Sequence, residues 1–267
     1  ALILVYYPAN IAALSIIFST QVLNLFHLPL IWHIPIAIAC GLSITLINFM
    51  GARVGGRLQS ITLIFKLIPI FIIAIFGLFS KAHVAVSLIP ITAGPHLNFW
   101  TAFSSGLLAT MFAYDGWISI GNVAGEMKHP ERDLPRAIVL GLVFITIIYA
   151  SINFELTGKT VLFLKSLPIE HIAGNLNTAS ETAEMIFGAF GGKLVTVGIL
   201  ISVYGAINGY TLTGMRVPFA MATEDSLPFS KQLRKISRKT YVPYFAGLVE
   251  LGIAIIMMFM GSFDTLP

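Results

Sequence analysis

Charge is what this sequence has least of: Asp, Glu, Lys and Arg make up only 10% of its 267 residues. A soluble domain carries about a quarter charged residues. This chain therefore has too few groups to face water over a globular surface. Cysteine is nearly absent as well. The single Cys40 lies in an apolar run, has no partner for an internal disulfide, and reads as a buried structural thiol. There is no nucleotide-binding glycine loop, no Ser/His/Asp grouping and no zinc motif. Histidines 27, 33, 83, 96, 129 and 171 fall between apolar runs without ligand spacing. No metal or cofactor is expected, and nothing in these residues supports an enzyme. Short alternating segments, the mark of a β-barrel, are also missing.

What is present is apolar length. Hydrophobic residues make up 57% of the chain, and the mean hydropathy is +0.88. Nearly uncharged stretches long enough to cross a bilayer recur, which predicts an all-α polytopic membrane protein. Seven spans are expected, at residues 1–26, 34–50, 58–79, 99–123, 134–156, 193–222 and 243–260. Pro8 is expected to kink the first. Residues 157–187 read as a loop bearing a short surface helix that starts at Thr178-Ala179-Ser180-Glu181. The chain opens at Ala1 directly in an apolar run and stops just past the last span, and so reads as an internal piece of a longer protein.

The net charge of +4 does not point to nucleic acid, because the basic residues sit in a few loops between apolar runs. One set of loops holds Arg53, Arg57, Lys128, Arg132, Arg136, Arg216, Lys231, Arg234, Lys235, Arg238 and Lys239. The opposite set holds Lys81, Lys159 and Lys165. The bias of Lys and Arg toward the cytoplasm places loops 51–57, 127–136 and 223–241 there. The first span then runs outward and the fourth inward, in a cell membrane.

The fourth span contains Phe112-Ala113-Tyr114-Asp115-Gly116-Trp117. A carboxylate at the centre of a spanning helix costs about 2.5–3.5 kcal/mol on insertion scales, and such residues usually mark a pathway or site. Asp115 beside Gly116 favours a turn, and unwound backbone at membrane depth is tolerated where it lines a cavity or is buried in protein. Two readings stay open: a broken helix that binds a small solute, or a continuous helix with a buried Asp. Lys66, roughly two turns in from the cytoplasmic end of its span, is either a snorkelling side chain or a buried cation bridging broken helices, fixed or carrying a proton. The sixth span carries Ser202, Tyr204, Gly205, Asn208, Gly209, Thr211 and Thr213, which suit interhelical hydrogen bonding as well as a polar site. Tyr6, Tyr7 and Asn10 around Pro8 read as core packing, with Tyr7 kept among the substrate-site candidates. Glu250, in the seventh span, must face protein or lie near an interface.

Phe112–Trp117, continued by Gly125-Glu126-Met127-Lys128-His129-Pro130-Glu131-Arg132-Asp133-Leu134-Pro135-Arg136-Ala137, resembles the amino acid–polyamine–organocation transporters and, within them, the L-type amino acid transporter branch. Lys66-Leu67-Ile68-Pro69, Asn208-Gly209 and Arg216–Ala222 extend the resemblance over nearly the whole chain. It implies an inverted-repeat transporter fold with discontinuous helices, of which this fragment would hold about seven of twelve spans, the third to the ninth. Phe112, Ala113 and Tyr114 would offer carbonyls to a substrate ammonium, with Phe112 also a gate and Trp117 shaping the pocket. Asp115, often Gly in relatives, would brace the turn that Gly116 permits. Lys66 would bridge the absent first helix to Ser202, Ala206 would face the substrate, and Glu126 and Arg136 would belong to a cytoplasmic closure network. The implied activity is exchange of neutral L-amino acids. Proton-coupled symport and a non-transporting scaffold or receptor subunit are the alternatives, and an accessory subunit stays unidentified.

Overall fold

In a bilayer no water meets an exposed N–H or C=O, so apolar runs satisfy their backbone internally as helices. The computed structural model describes residues 5–79, 98–164, 178–225 and 227–260, and no strand occurs among them. The helices are α1 (Tyr7–Phe26), α2 (His33–Phe49), α3 (Ala52–Phe79), α4 (Phe99–Ala113), α5 (Pro130–Leu164), α6 (Thr178–Gly214), α7 (Arg216–Thr223), α8 (Ser230–Leu233) and α9 (Tyr244–Met260), with a 3₁₀ segment at Trp117–Glu126. Among the described residues, Tyr7–Phe26, Leu30–Phe49, Pro130–Ala150 and Phe190–Thr223 are long and apolar enough to cross a membrane.

Helix ends follow local chemistry. Pro8 stands in the first turn of α1, where a missing N–H costs no hydrogen bond and the fixed φ suits the helix; residues 1–4, on which the expected kink depends, lie outside the described residues. The other end of α1 closes with His27 in the left-handed region (φ 53°), and Leu28 N donates to Leu23 O at 3.0 Å. Pro29 then prevents continuation. Gly51, at φ 124°, makes the tight turn between α2 and α3, a conformation that glycine adopts without a steric penalty.

Three expectations are corrected. The third span begins at Ala52, so Arg53 and Arg57 belong to its first turns rather than to a loop. No separate surface helix opens at Thr178. α6 runs unbroken to Gly214, because Gly188, Gly191 and Gly192 lower helix propensity without removing a hydrogen bond. The sixth span reaches Thr223, close to the expected 222, but its α-helix is interrupted after Gly214, because Pro218 has no N–H for the Gly214 carbonyl and its ring would clash with it. The chain turns at Met215 and restarts as α7. Lys81, His83, His96, Lys165, His171 and the C-terminal residues 261–267 lie outside the described residues.

The chain divides into two units, Ala1–Ile70 with Asn177–Pro267, and Phe71–Leu176. In the first, α1, α2, α6 and α9 share a core of Ile11, Ala12, Ile16, Ala37, Cys40, Ile44, Ile207, Ala254 and Met258. Lipid tails are as apolar as these side chains, so the core holds by close packing rather than by escape from water. In the second unit α5 packs on the 3₁₀ segment, and the first turn of α5 carries Glu131 and Asp133, well placed against the helix dipole.

Candidate functional site

In the second unit, α4 ends inside the apolar run. Tyr114 N still donates to Thr110 O at 3.0 Å, and the chain then turns through Tyr114–Gly116. Gly116 takes φ 97° and ψ −17°, a left-handed conformation that a side chain would strain. Ser119 N donates to the Gly116 carbonyl at 3.0 Å as the 3₁₀ segment begins. Of the two readings left open, the helix is broken, at the residue pair that composition singled out. Asp115, Ala113 and Trp117 are exposed and Tyr114 is half-buried. The side chains of Phe112 and Glu126 lie outside the described residues, and Arg136 is an exposed residue of α5.

Two residues of α5 brace the break. Tyr149 Oη donates to the Ala113 carbonyl at 3.1 Å, and Tyr114 Oη donates to Thr146 Oγ1 at 3.0 Å. The Tyr114 and Tyr149 rings meet edge to face, 5.4 Å apart. Thr146 is anchored in turn by donating to Leu142 O at 2.8 Å. A carbonyl has two lone pairs, so the Ala113 oxygen that accepts the tyrosine keeps capacity for a second donor. Neither Tyr149 nor Thr146 stood out beforehand. The only signal was a hydroxyl one turn from another, inside an apolar run.

In the first unit, α3 and α6 run antiparallel with small residues between them. Asn208 Nδ2 donates to Gly55 O at 3.1 Å and to Gln59 Oε1 at 2.8 Å. A Cβ on Gly205 would stand 2.5 Å from Thr62 Oγ1, and one on Gly55 would stand 3.1 Å from Leu212 Cδ1. Residues 55, 59 and 62 thus face 212, 208 and 205. One further turn in the same register brings Lys66 level with Ser202, both half-buried. Asn208, fully buried, also accepts from Asn48 Nδ2 at 2.9 Å. Its side chain is engaged within the helix packing of α2, α3 and α6. Ala206 is half-buried. Tyr7 is buried, its ring 5.0 Å from Tyr6 and 6.3 Å from Tyr210. Glu250 is 4% exposed, faces protein as expected, and lies against Gly214. Its two oxygens have no hydrogen-bond partner among the described residues.

A broken helix in an apolar run, within an all-helical chain, belongs to a limited set of membrane proteins. The model of the amino acid permease family matches residues 1–266. The chain belongs to the amino acid permease family. The permease chain is 38% identical over 265 residues to the serine/threonine exchanger SteT of Bacillus subtilis (strain 168), covering 99% of this chain and 58% of that protein. It is 29% identical over 275 residues to Asc-type amino acid transporter 1 of Homo sapiens, covering 99% and 50%. It is 27% identical over 260 residues to large neutral amino acids transporter small subunit 2 of Homo sapiens, covering 90% and 45%. The permease chain therefore spans about half the length of the curated relatives it matches.

Proposed function

We propose that the full-length protein exchanges neutral L-amino acids across the cell membrane by alternating access, and that this chain supplies spans three to nine. The observation that carries the reading is the helix break at Tyr114–Gly116 in a member of the amino acid permease family. A zwitterionic solute entering a low-dielectric site needs fixed partners for its charges, and the ends of interrupted helices supply them without a compensating ion. The carbonyls of Phe112, Ala113 and Tyr114 accept the substrate ammonium. Gly116 permits the turn, Asp115 braces it, and Phe112 and Trp117 close over the side chain. Lys66, level with Ser202, is a tethered cation, and Ala206 faces the substrate. Asn208 and Tyr7 act by holding α6 and α1 in place. The first turns of α3 at residues 51–57, the entry to α5 at 127–136 and the segment 223–241 face the cytoplasm. The names of the relatives, an exchanger and two transporters, support the same reading.

The test is counterflow in liposomes holding the full-length protein. Labelled serine is expected to enter only when unlabelled amino acid is inside, and Phe112→Ala or Lys66→Ala is expected to lower the rate at least about tenfold, the loss of roughly 1.4 kcal/mol of binding. Uptake without internal amino acid that follows a pH gradient would replace exchange with proton-coupled symport, with Lys66 as the titrating group. Binding left untouched by both substitutions would favour a scaffold that moves nothing.

A further inference from the structure

The segment between α7 and α9 is folded rather than slack. Gln232 N and Leu233 N donate to Phe229 O at 2.8 and 3.0 Å, Ser237 N donates to Val242 O at 3.0 Å, and Tyr241 N donates to Ser237 O at 2.9 Å. Ser230 Oγ donates to Leu227 O at 2.5 Å. Leu233 turns inward to pack with Ala222 and Ala246. What this small fold presents outward is cationic: Lys231, Arg234, Lys235, Arg238 and Lys239 are all exposed. Arg234 pairs with Asp225 at 3.4 Å. The other four make no ion pair among the described residues.

Three exposed apolar side chains interleave with these cations, Phe229 at 70%, Ile236 at 43% and Tyr241 at 79%. Phe229 and Tyr241 hold left-handed backbone, at φ 62° and 55°. Side chains with a Cβ are strained there, and such conformations persist where the surrounding structure imposes them, often at sites of function. Here the strained residues are both aromatic, and both side chains are exposed. Aromatic rings beside Lys and Arg suit the headgroup layer. Four to eight basic residues immediately outside a span suit anionic lipid. The segment is tied at both ends, since α7 closes at Thr223 and α9 begins at Tyr244, so its groups stay within a few residues' reach of the bilayer.

We propose that residues 227–241 form a docking surface for anionic phospholipid headgroups, with Phe229, Ile236 and Tyr241 entering the interface and Lys231, Lys235, Arg238 and Lys239 meeting the phosphates. The surface depends only on α9 crossing the bilayer and is independent of transport and of which leaflet it faces. The experiment uses the full-length protein carrying a fluorophore at Gln232→Cys, in symmetric nanodiscs of phosphatidylcholine with brominated phosphatidylglycerol or brominated phosphatidylcholine as the minor lipid. Phosphatidylglycerol is expected to quench about twofold more or better at low salt, and the preference is expected to shrink as added salt shortens the Debye length to about 3 Å. K231Q/K235Q/R238Q/K239Q should bring the two lipids to parity. A brominated cationic lipid, which needs no variant, should quench less than phosphatidylcholine. Equal quenching by all three lipids, or a preference that survives the quadruple substitution, would overturn the proposal.

Discussion

The two units use their polar side chains in opposite ways. In residues Ala1–Ile70 with Asn177–Pro267, α1, α2 and α9 run uninterrupted around the core and α6 is interrupted only beyond it, at Met215. Side-chain amides there tie helix to helix, as in Asn48–Asn208–Gln59. In Phe71–Leu176 a helix gives up its backbone ladder at Tyr114–Gly116, and a neighbouring side chain, Tyr149, is spent on the backbone instead. The tightness of the contacts differs in the same direction. A Cβ at Gly205, Gly214 or Gly247 of the first unit would meet a neighbour within 3.0 Å, although Gly56 and Gly252 are open, whereas at Gly106, Gly116, Gly121 or Gly141 of the second it would meet nothing within 4 Å among the described residues. Close packing holds the first unit. Directed hydrogen bonds to a turn hold the interrupted part of the second.

The sharpest way to break that contrast is at Gly214. A Cβ there would overlap the Glu250 carboxyl and stand 2.9 Å from Tyr7 Cδ1. Both neighbours are buried and cannot step aside. Overpacking of a filled core costs about 1–3 kcal/mol, occasionally more, and Gly214→Val belongs at the upper end. Thermal unfolding of the full-length protein followed by size-exclusion chromatography should show a lower midpoint or no monodisperse peak. Gly141→Val in α5 is the matching change in the second unit, and it should shift stability by no more than about 0.5 kcal/mol. Equal losses at the two positions would erase the distinction in packing.

A step down in size is Asn208→Ala. It leaves the Asn48 amide, the Gln59 carbonyl oxygen and the Gly55 carbonyl short of partners at once. A buried group left unsatisfied costs about 1–3 kcal/mol, so a loss of roughly 2 kcal/mol is expected in the same unfolding assay. Asn48→Ala in that background should add little, because the two share one network. Full additivity would mean that Asn48 and Asn208 act separately.

Much of this arrangement was legible beforehand, and the parts that were not have physical causes. The apolar runs and the break at Asp115-Gly116 are local signals that one stretch of chain carries. Asp115 marks the stretch by its charge, yet the residue with the special backbone is Gly116. The interruption after Gly214 is encoded in Pro218, read four residues back along the carbonyl ladder, while the apolar run itself continues to Thr223. Asn48 and Asn208 meet across 160 residues, and nothing in either neighbourhood announces the other. Tyr149 is silent in the sequence for the same reason, since an apolar span tolerates a tyrosine for packing alone and its target is a backbone oxygen 36 residues away.

Tyr149→Phe therefore probes the second unit with the smallest chemical change, one oxygen atom. Interhelical hydrogen bonds in membranes average about 0.6 kcal/mol, and the ring contact with Tyr114 stays, so global stability should hardly move. The local consequence is different in kind. Without the hydroxyl, the Ala113 carbonyl loses the donor that orients it, and a turn with few backbone bonds of its own samples more directions. If that carbonyl meets a substrate ammonium, affinity for amino acid should fall about threefold, as expected from a loss near 0.6 kcal/mol, while the unfolding midpoint stays within about 1 °C. Equilibrium binding and unfolding measured on one preparation separate the two effects. A drop in midpoint with affinity intact would make Tyr149 a packing residue and would assign the two units the same use of their polar groups.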